Sequence, residues 1–309
     1  MKKIIIFTAF LVFIPFLIVY LFNKTETQEI IELNNITTTK VRVKRLKTGT
    51  IDTLPLEEYV VGVIAGEMPV SFDVEALKAQ AVASRSYVLK RLKTNKDKEY
   101  DVVDSITNQV YLDNAYLKEK WGSDYTSKIN KLHEVVNKTQ GEYLEYNGEV
   151  IDALFFSTSN GYTEDCGQVF SLDLPYLKSV NSEWDSQVSS VFNSTKTISL
   201  QEFYEKLNLP YQNNLIIKDI KRSNSNRITS ITINNTTFKG TDIYNKLSLR
   251  STDFSLTQLG SNVEIKTTGF GHGVGMSQYG AEGMAQEGYN YKDILNHYYT
   301  DTTIKKLEN

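Results

Sequence analysis

The stretch that decides the fold is EEYVVGVIAGEMPVSFDVEALKAQAVASRSY, residues 57–87. Pro55 suits the first turn of a helix, and Pro69 ends that helix two residues after Glu67. The apolar residues recur at the spacing of one helical face: Leu56, Val60, Val63 and Ile64. Glu67 falls on the same face. A carboxylate there can be a frayed exposed end, a cap, a partner of a nearby cation or a functional group, and this stretch alone leaves those alternatives open.

A second helix follows at once. Asp73 can cap it, with Glu75 in its first turn, and the sequence DVEALKAQAVASRSYVLKRLK continues in helical register. Its many Ala and Ser residues permit close packing against the first helix. We therefore expect Gln80 and Arg85 to lie near Glu67, although Arg85 can equally be a surface charge.

Composition bounds the class of protein. The 309 residues are 40% hydrophobic and 23% charged, which is typical of a globular chain with one large domain or two modest ones. Net charge is −3, and because the first 22 residues carry two lysines and no acid, the remainder stands at −5. This charge is a poor match to nucleic acid, so no nucleic-acid partner is expected.

Cysteine and histidine are too sparse for a disulfide framework or a metal centre. Cys166 is the only cysteine, and the three histidines are far apart in sequence. Neither a zinc site nor any other metal or cofactor is predicted. Cys166 reads as an unpaired structural thiol.

The N-terminus predicts a membrane anchor. Residues 4–22 read IIIFTAFLVFIPFLIVYLF, long enough as a helix to span about 28 Å. A cleaved signal peptide is the alternative, but it expects a shorter apolar core and a small-residue cleavage site. Lys2 and Lys3 place the start of the chain in the cytoplasm, so residues 1–22 are expected to anchor an extracytoplasmic body at the cell membrane. Residues 23–40 form a polar tether, and 41–309 form the body.

The body predicts an α+β fold of mixed helices and antiparallel hairpins around a substrate cleft. VRVKRLK (41–47) alternates as a strand, with a hairpin turn at 47–50, and Asn147-Gly148 is a second hairpin signal. Residues 128–139 read as a helix. A strand after Gly148 is expected to run into Ser157–Thr163, a polar loop that is either a binding loop or a simple turn. Residues 186–262 read as an inserted lobe, with a helical piece at 199–207 and a hairpin at Asn234-Asn235.

A glycine-rich segment, GFGHGVGMSQYGAEGMAQEG (269–288), lies near the C-terminus. Glycines alternate around His272, which can orient a ligand or serve as a structural residue. A helix is expected to start near Met276, with Gln278 and Tyr279 in its first turn, and 291–299 predict a last amphipathic helix. The segment lacks the lysine of a phosphate-binding loop, which argues against nucleotide binding.

Three stretches together resemble the stage II sporulation protein D family. They are residues 57–89, the pair FFSTSNGYTED and PYLKSVNSEWD, and residues 269–299. The resemblance covers nearly everything from about residue 40 to 305, in the family's order. It implies a lytic transglycosylase that cuts peptidoglycan glycan strands during forespore engulfment. It also implies two partners, a cell-wall amidase and a membrane protein that recruits both enzymes.

The resemblance also implies roles for particular residues. The family's catalytic glutamate falls on the GEMP motif, which here is Glu67. Six further residues fall within the matching motifs as candidate substrate contacts: Arg85, Ser157, Ser159, His272, Gln278 and Tyr279. Some relatives bind zinc through Cys and His, and this chain departs from that pattern.

Lytic cleavage uses one carboxyl group twice, first as an acid and then as a base, so the acid must be desolvated enough to hold its proton. A hydrolysing glycosidase normally needs a second carboxylate. The candidates are Asp73, Asp104, Glu164 and Asp165, and no motif places any of them. Two alternatives stay open: a hydrolysing muramidase with the same Glu67, and a non-catalytic amidase enhancer that only binds peptidoglycan.

Overall fold

The computed structural model describes residues 29–34, 37–170 and 172–308. The predicted anchor at 4–22 lies outside these residues, as does part of the predicted tether. Within the described ranges, no helix is both long and apolar enough to span a bilayer.

The chain folds into helices and short sheets. The helices are α1 Leu56–Glu67, α2 Val74–Thr94, α3 Asn114–Trp121, α4 Tyr125–Lys138, α5 Cys166–Val169, α6 Asp185–Val188, α7 Leu200–Leu207, α8 Gly240–Leu247, α9 Gln278–Gln286 and α10 Tyr291–Tyr298. The strands are β1 Lys40–Lys44, β2 Ile51–Pro55, β3 Val102–Val103, β4 Glu142–Tyr146, β5 Glu149–Val150, β6 Phe155–Phe156, β7 Asn193–Ser199, β8 Ile217–Arg222, β9 Ile228–Ile233, β10 Thr236–Lys239, β11 Phe254–Leu259, β12 Asn262–Thr268, β13 Met276–Ser277 and β14 Thr303–Lys306. This mixture of helices with mainly antiparallel sheets confirms the α+β class.

The first hairpin leads directly into α1. β1 and β2 pair antiparallel, with Lys40 opposite Pro55, and β3 adds to β1 in parallel. The sequence predicted a longer first strand, but pairing ends at Lys44 because the turn closes where the Arg45 amide donates to the Thr50 carbonyl. Pro55 then fixes the backbone at the N-cap of α1, and the helix ends at Glu67, before Pro69, as predicted.

The main core is built around α2. Asp73 caps this helix by accepting a hydrogen bond from the Glu75 amide at 2.8 Å, as the sequence predicted. The helix packs against α1, α4, α9, α10 and β4. Ala79, Ala81 and Ala83 have no exposed surface, so small side chains let several helices approach one axis.

A second hydrophobic core lies in the region of the predicted lobe. It is formed by α7, α8 and two three-stranded sheets, ordered β10-β9-β8 and β11-β12-β7. The predicted helix at 199–207 is confirmed as α7. The predicted hairpin is confirmed as β9 and β10, which turn at Asn234 and Asn235 with φ of 45° and 67°.

Two distant loops meet in a short parallel pair. Met276 pairs with Phe155 and Ser277 with Phe156, which joins β13 to β6. The strand predicted after Gly148 is interrupted in the structure. β5 ends at Val150, and a tight turn follows in which the Leu154 amide donates to the Asp152 carbonyl. α9 begins at Gln278, two residues later than predicted, because Ser277 accepts from the Gly280 amide as its cap.

Candidate active site

Glu67 is the last residue of α1, and its position depends on two glycines. A Cβ at Gly62 would lie 2.3 Å from the Tyr111 ring, and one at Gly66 would lie 2.5 Å from the Val110 carbonyl oxygen. The two glycines therefore form a groove on α1 in which residues 110–112 lie. The Leu112 amide donates to the Gly62 carbonyl at 3.1 Å, which fixes this segment along the helix.

The groove brings a backbone donor to the Glu67 side chain. The Val110 amide donates to Oε1 of Glu67 at 2.6 Å. Burial raises the pKa of this carboxyl, while the Val110 amide and the polar side chain of Gln278 partly oppose the rise. Desolvation prevails. Glu67 is thus a half-buried acid that keeps its proton to a higher pH than an ordinary glutamate.

Glu67 faces a cleft of about 700 Å³. Aromatic and aliphatic side chains make up much of its lining: Tyr87, Ile106, Leu154, Phe155, Phe156, Phe170, Leu172, Leu174 and Phe270. The other lining residues are Arg91, Thr107, Asn108, Asp152, Ser157, Cys166, Gly271, His272 and Gln278. An apolar wall with a few polar groups and a perturbed acid is the usual composition of a ligand site.

Four of the predicted site residues meet in this cleft: Glu67, Ser157, His272 and Gln278. The β6–β13 pair explains the meeting, because Ser157 follows β6 directly and Gln278 follows β13. Gln278 also contacts α2, where its amide lies 3.5 Å from Oε1 of Gln80. The first turn of α9 thus links Glu67 to the central helix.

His272 is a neutral ring in the cleft wall. Its Nδ1 accepts from the Val274 amide at 3.0 Å, and its ring lies beside those of Phe156 and Phe170. Burial, together with the charge of Arg227, lowers the pKa of His272 to about 4. The imidazole is therefore uncharged near neutral pH and can meet a ligand only as a neutral group.

Three predicted contacts do not line the cleft, and the structure gives them other roles. Arg85 has no exposed surface and pairs with Glu57 at 2.6 Å. Ser159 is buried, and its Oγ donates to the Ser182 carbonyl at 2.8 Å. The Tyr279 ring packs edge-on against Phe72, with ring centres 5.0 Å apart. Helix periodicity alone does not say which buried partner a cation will find, and the partner of Arg85 is Glu57.

The four carboxylates considered as second catalytic groups are engaged elsewhere. Asp73 caps α2, Asp104 pairs with Arg45 at 3.0 Å, Asp165 accepts from the Ser179 amide at 2.9 Å, and Glu164 accepts from the Ser225 hydroxyl at 2.6 Å. None of them lines the cleft with Glu67. The carboxylate that does is Asp152, which Arg91 binds through both oxygens at 3.0 Å.

Three residues of the cleft were not predicted from the sequence: Tyr87, Arg91 and Asp152. A signal was present in α2, where polar or amphipathic residues recur on one face: Gln80, Ser84, Tyr87 and Arg91. Gln80 at one end of this stripe contacts Gln278, and Tyr87 and Arg91 at the other end line the cleft. Among the described residues, no cluster of three His, Cys, Asp or Glu side chains is placed to hold a metal ion.

Comparison with known proteins finds similarity to one family over most of the chain. A family model described as stage II sporulation protein matches residues 44–146. The chain is 42% identical over 273 residues to stage II sporulation protein D of Bacillus subtilis, which covers 87% of this chain and 79% of the relative. The corresponding protein of Bacillus amyloliquefaciens matches to the same extent.

A more distant relative is the amidase enhancer of Bacillus subtilis. It is 30% identical over 298 residues, and the match covers 79% of this chain but 40% of the amidase enhancer.

Proposed function

The chain belongs to the stage II sporulation protein D family, and from this premise we propose that it is a lytic transglycosylase that cleaves peptidoglycan glycan strands. Family membership supports a role in sporulation. The cleft suggests how this chain would perform the reaction.

The observation that carries the proposal is the desolvated carboxyl of Glu67 in the cleft wall. A general acid must hold its proton near the working pH, and the raised pKa of Glu67 serves that requirement. In the proposed reaction Glu67 protonates the glycosidic oxygen as the C1–O bond breaks. The resulting carboxylate takes the proton of the C6 hydroxyl, whose oxygen bonds to C1 and closes the 1,6-anhydro ring.

The Val110 amide and Gln278 stabilise the carboxylate formed after the first proton transfer. The Val110 amide donates a hydrogen bond to Glu67, and the polar side chain of Gln278 also favours the charged form. These groups limit the rise of the Glu67 pKa, so that Glu67 can give up its proton in the first step and take one back in the second. A carboxyl group with no such donors would have a higher pKa and would give up its proton less readily in the first step.

The other carboxylate of the cleft is a poor candidate for activating water. Asp152 is held by Arg91, and an ion pair of this kind favours a structural role over general base catalysis. Inverting hydrolysis needs a free base across the sugar ring. The single available acid therefore favours lytic cleavage over hydrolysis by a muramidase.

The cleft suits a sugar chain. Its volume lies within the range of small-molecule sites, and its aromatic rings offer flat apolar surfaces for the faces of sugar rings. We further propose that the protein acts at the cell membrane through residues 4–22, together with a cell-wall amidase and a membrane recruiting protein. The apolar run at 4–22 supports the anchor, and the family resemblance supports the two partners.

The test is digestion of peptide-free glycan strands by the full chain in detergent, with product masses. Wild type is expected to release fragments with 1,6-anhydro ends, each lighter by one water than a reducing end. Glu67→Gln should lose at least 100-fold in rate, as expected when a general acid is removed. Glu58→Gln, on the same helix and outside the cleft lining, is the matched control.

The outcomes separate the candidates. Reducing ends from wild type would mean that water attacked and that the protein is a hydrolase. Full activity in Glu67→Gln would remove this residue from the mechanism. A second function is favoured by the similarity to the amidase enhancer: glycan binding without cleavage by the purified protein, together with stimulation of an added amidase, would support that role instead.

A further inference from the structure

A second pocket adjoins the cleft. It has a volume of about 300 Å³, and Gly271 and His272 line both spaces. Four further lining residues matter for its chemistry: Glu164, Arg227, Lys239 and Thr241.

Arg227 is the unusual residue of this pocket. It is 2% exposed, yet its guanidinium uses few of its donors: Nη1 donates to Ser251 Oγ at 3.2 Å, and Nη2 lies 3.5 Å from the Tyr162 carbonyl oxygen. The buried Nε has no partner. Within the described residues, no carboxylate forms an ion pair with Arg227. A buried cation with unfilled donors is costly, so an acceptor is expected to meet it.

The nearby carboxylates are already satisfied by other groups. Glu164 accepts hydrogen bonds from the hydroxyls of Ser223 and Ser225 and from the Asp165 amide. Asp253 pairs with Arg222 at 2.9 Å. Their charges act on Arg227 at a distance but leave its donors free.

The pocket lining also contains a lysine. Lys239 is the N-cap residue of α8 and Thr241 lies in the first helical turn, and both line the pocket. The N-terminus of α8 already has the Asp242 carboxylate as its cap, which accepts from the Lys239 amide at 3.2 Å, so the positive charge here comes from the Lys239 side chain. His272, which lines both this pocket and the cleft, is neutral, and the carboxylate of the lining, Glu164, is held by the hydroxyls of Ser223 and Ser225.

We propose that this pocket binds a carboxylate of the glycan substrate beside the cleavage site, an inference that rests on the proposed function. Arginine suits a carboxylate because its donors match the two oxygens. Two sources carry this group. The lactyl ether of muramic acid ends in a carboxylate when no peptide is attached, and stem peptides carry carboxylates of their own.

The test is binding by the full chain in detergent, in a Glu67→Gln background so that no ligand is consumed. The probes are peptide-free glycan, peptide-bearing glycan, the free stem peptide and a chitin oligomer, which has no carboxylate. Arg227→Gln should weaken binding of the carboxylate-bearing glycan by about tenfold and Lys239→Gln by about threefold, with chitin binding unchanged. Lys218→Gln, an exposed lysine outside the pocket, should change neither.

The ligands identify the source of the carboxylate. Loss confined to peptide-free glycan assigns the lactyl group, and loss confined to peptide-bearing glycan and free peptide assigns the stem peptide. Equal loss on the chitin oligomer, or no loss on any ligand, would overturn the proposal. If Arg227→Gln does not fold, Lys239→Gln decides by the same criteria. Because binding is measured without turnover, a failure of wild type to cleave glycan would count against the proposed function alone.

Discussion

Arg85 and Glu57 form an ion pair with no exposed surface at the junction of α1, α2 and β4. Nη2 of Arg85 lies 2.6 Å from Oε2 of Glu57, and Nε contacts both carboxylate oxygens. Nη1 donates to the Glu142 carbonyl at 2.9 Å, and the Gly141 amide donates to Glu57 at 3.1 Å. The pair therefore fixes the packing of the helix that carries Glu67.

Breaking this pair should cost stability and leave chemistry intact. Arg85→Met leaves an uncompensated buried carboxylate, so the free energy of unfolding should fall by about 3–5 kcal/mol. The double variant Glu57→Leu/Arg85→Met should recover much of that loss. Urea unfolding measures the stabilities, and glycan cleavage per folded molecule should stay within about threefold of wild type.

The control for this pair is Lys90→Met, a half-buried lysine on the same helix. It should change the free energy of unfolding by less than about 0.5 kcal/mol. A large loss of cleavage in Arg85→Met with unchanged stability would contradict the structural role and restore Arg85 as a substrate contact.

The elements that the sequence could predict are those with local signals. Pro55, Pro69 and the Asp73 cap delimit α1 and α2 by effects within one or two turns of the chain. Asn147-Gly148 and Asn234-Asn235 set their hairpins through residues that adopt positive φ. Each of these was predictable because the cause and its effect lie within a few residues.

Contacts between residues distant in sequence could not be predicted. Gly62 and Gly66 looked like ordinary helix residues, and their purpose appears only when residues 110–112 lie against them. The β6–β13 pair likewise joins segments about 120 residues apart. Family motifs identified Glu67, Ser157, His272 and Gln278, but no local pattern could show that Arg85 faces Glu57 and not the cleft.

Removing the buried charge of Glu67 should stabilise the protein. Its folded-state pKa is raised, so wild type loses stability as pH rises from the ordinary glutamate pKa of about 4.3 through the folded value. Glu67→Gln has no such loss. The free energy of unfolding of Glu67→Gln should equal that of wild type at acid pH and exceed it by about 1 kcal/mol at neutral pH. Glycan cleavage should be lost.

Urea unfolding of both proteins across this pH range measures the difference. Glu58→Gln should show no comparable rise, which controls for the loss of one negative charge. A constant difference between Glu67→Gln and wild type at all pH values would show that the Glu67 pKa is not raised by folding.

Gln278 should set the upper pH limit of cleavage. Its polar side chain lowers the pKa of Glu67, so Gln278→Leu removes an interaction that favours the carboxylate. The rate should fall at a higher pH than in wild type, because Glu67 then keeps its proton to a higher pH. Gln286→Leu, an exposed position on the same helix, should leave the profile unchanged. If Gln278 only contacts substrate, KM should rise and the pH limit of cleavage should not change. A pH limit that moves to lower pH would contradict the effect of Gln278 on the Glu67 pKa.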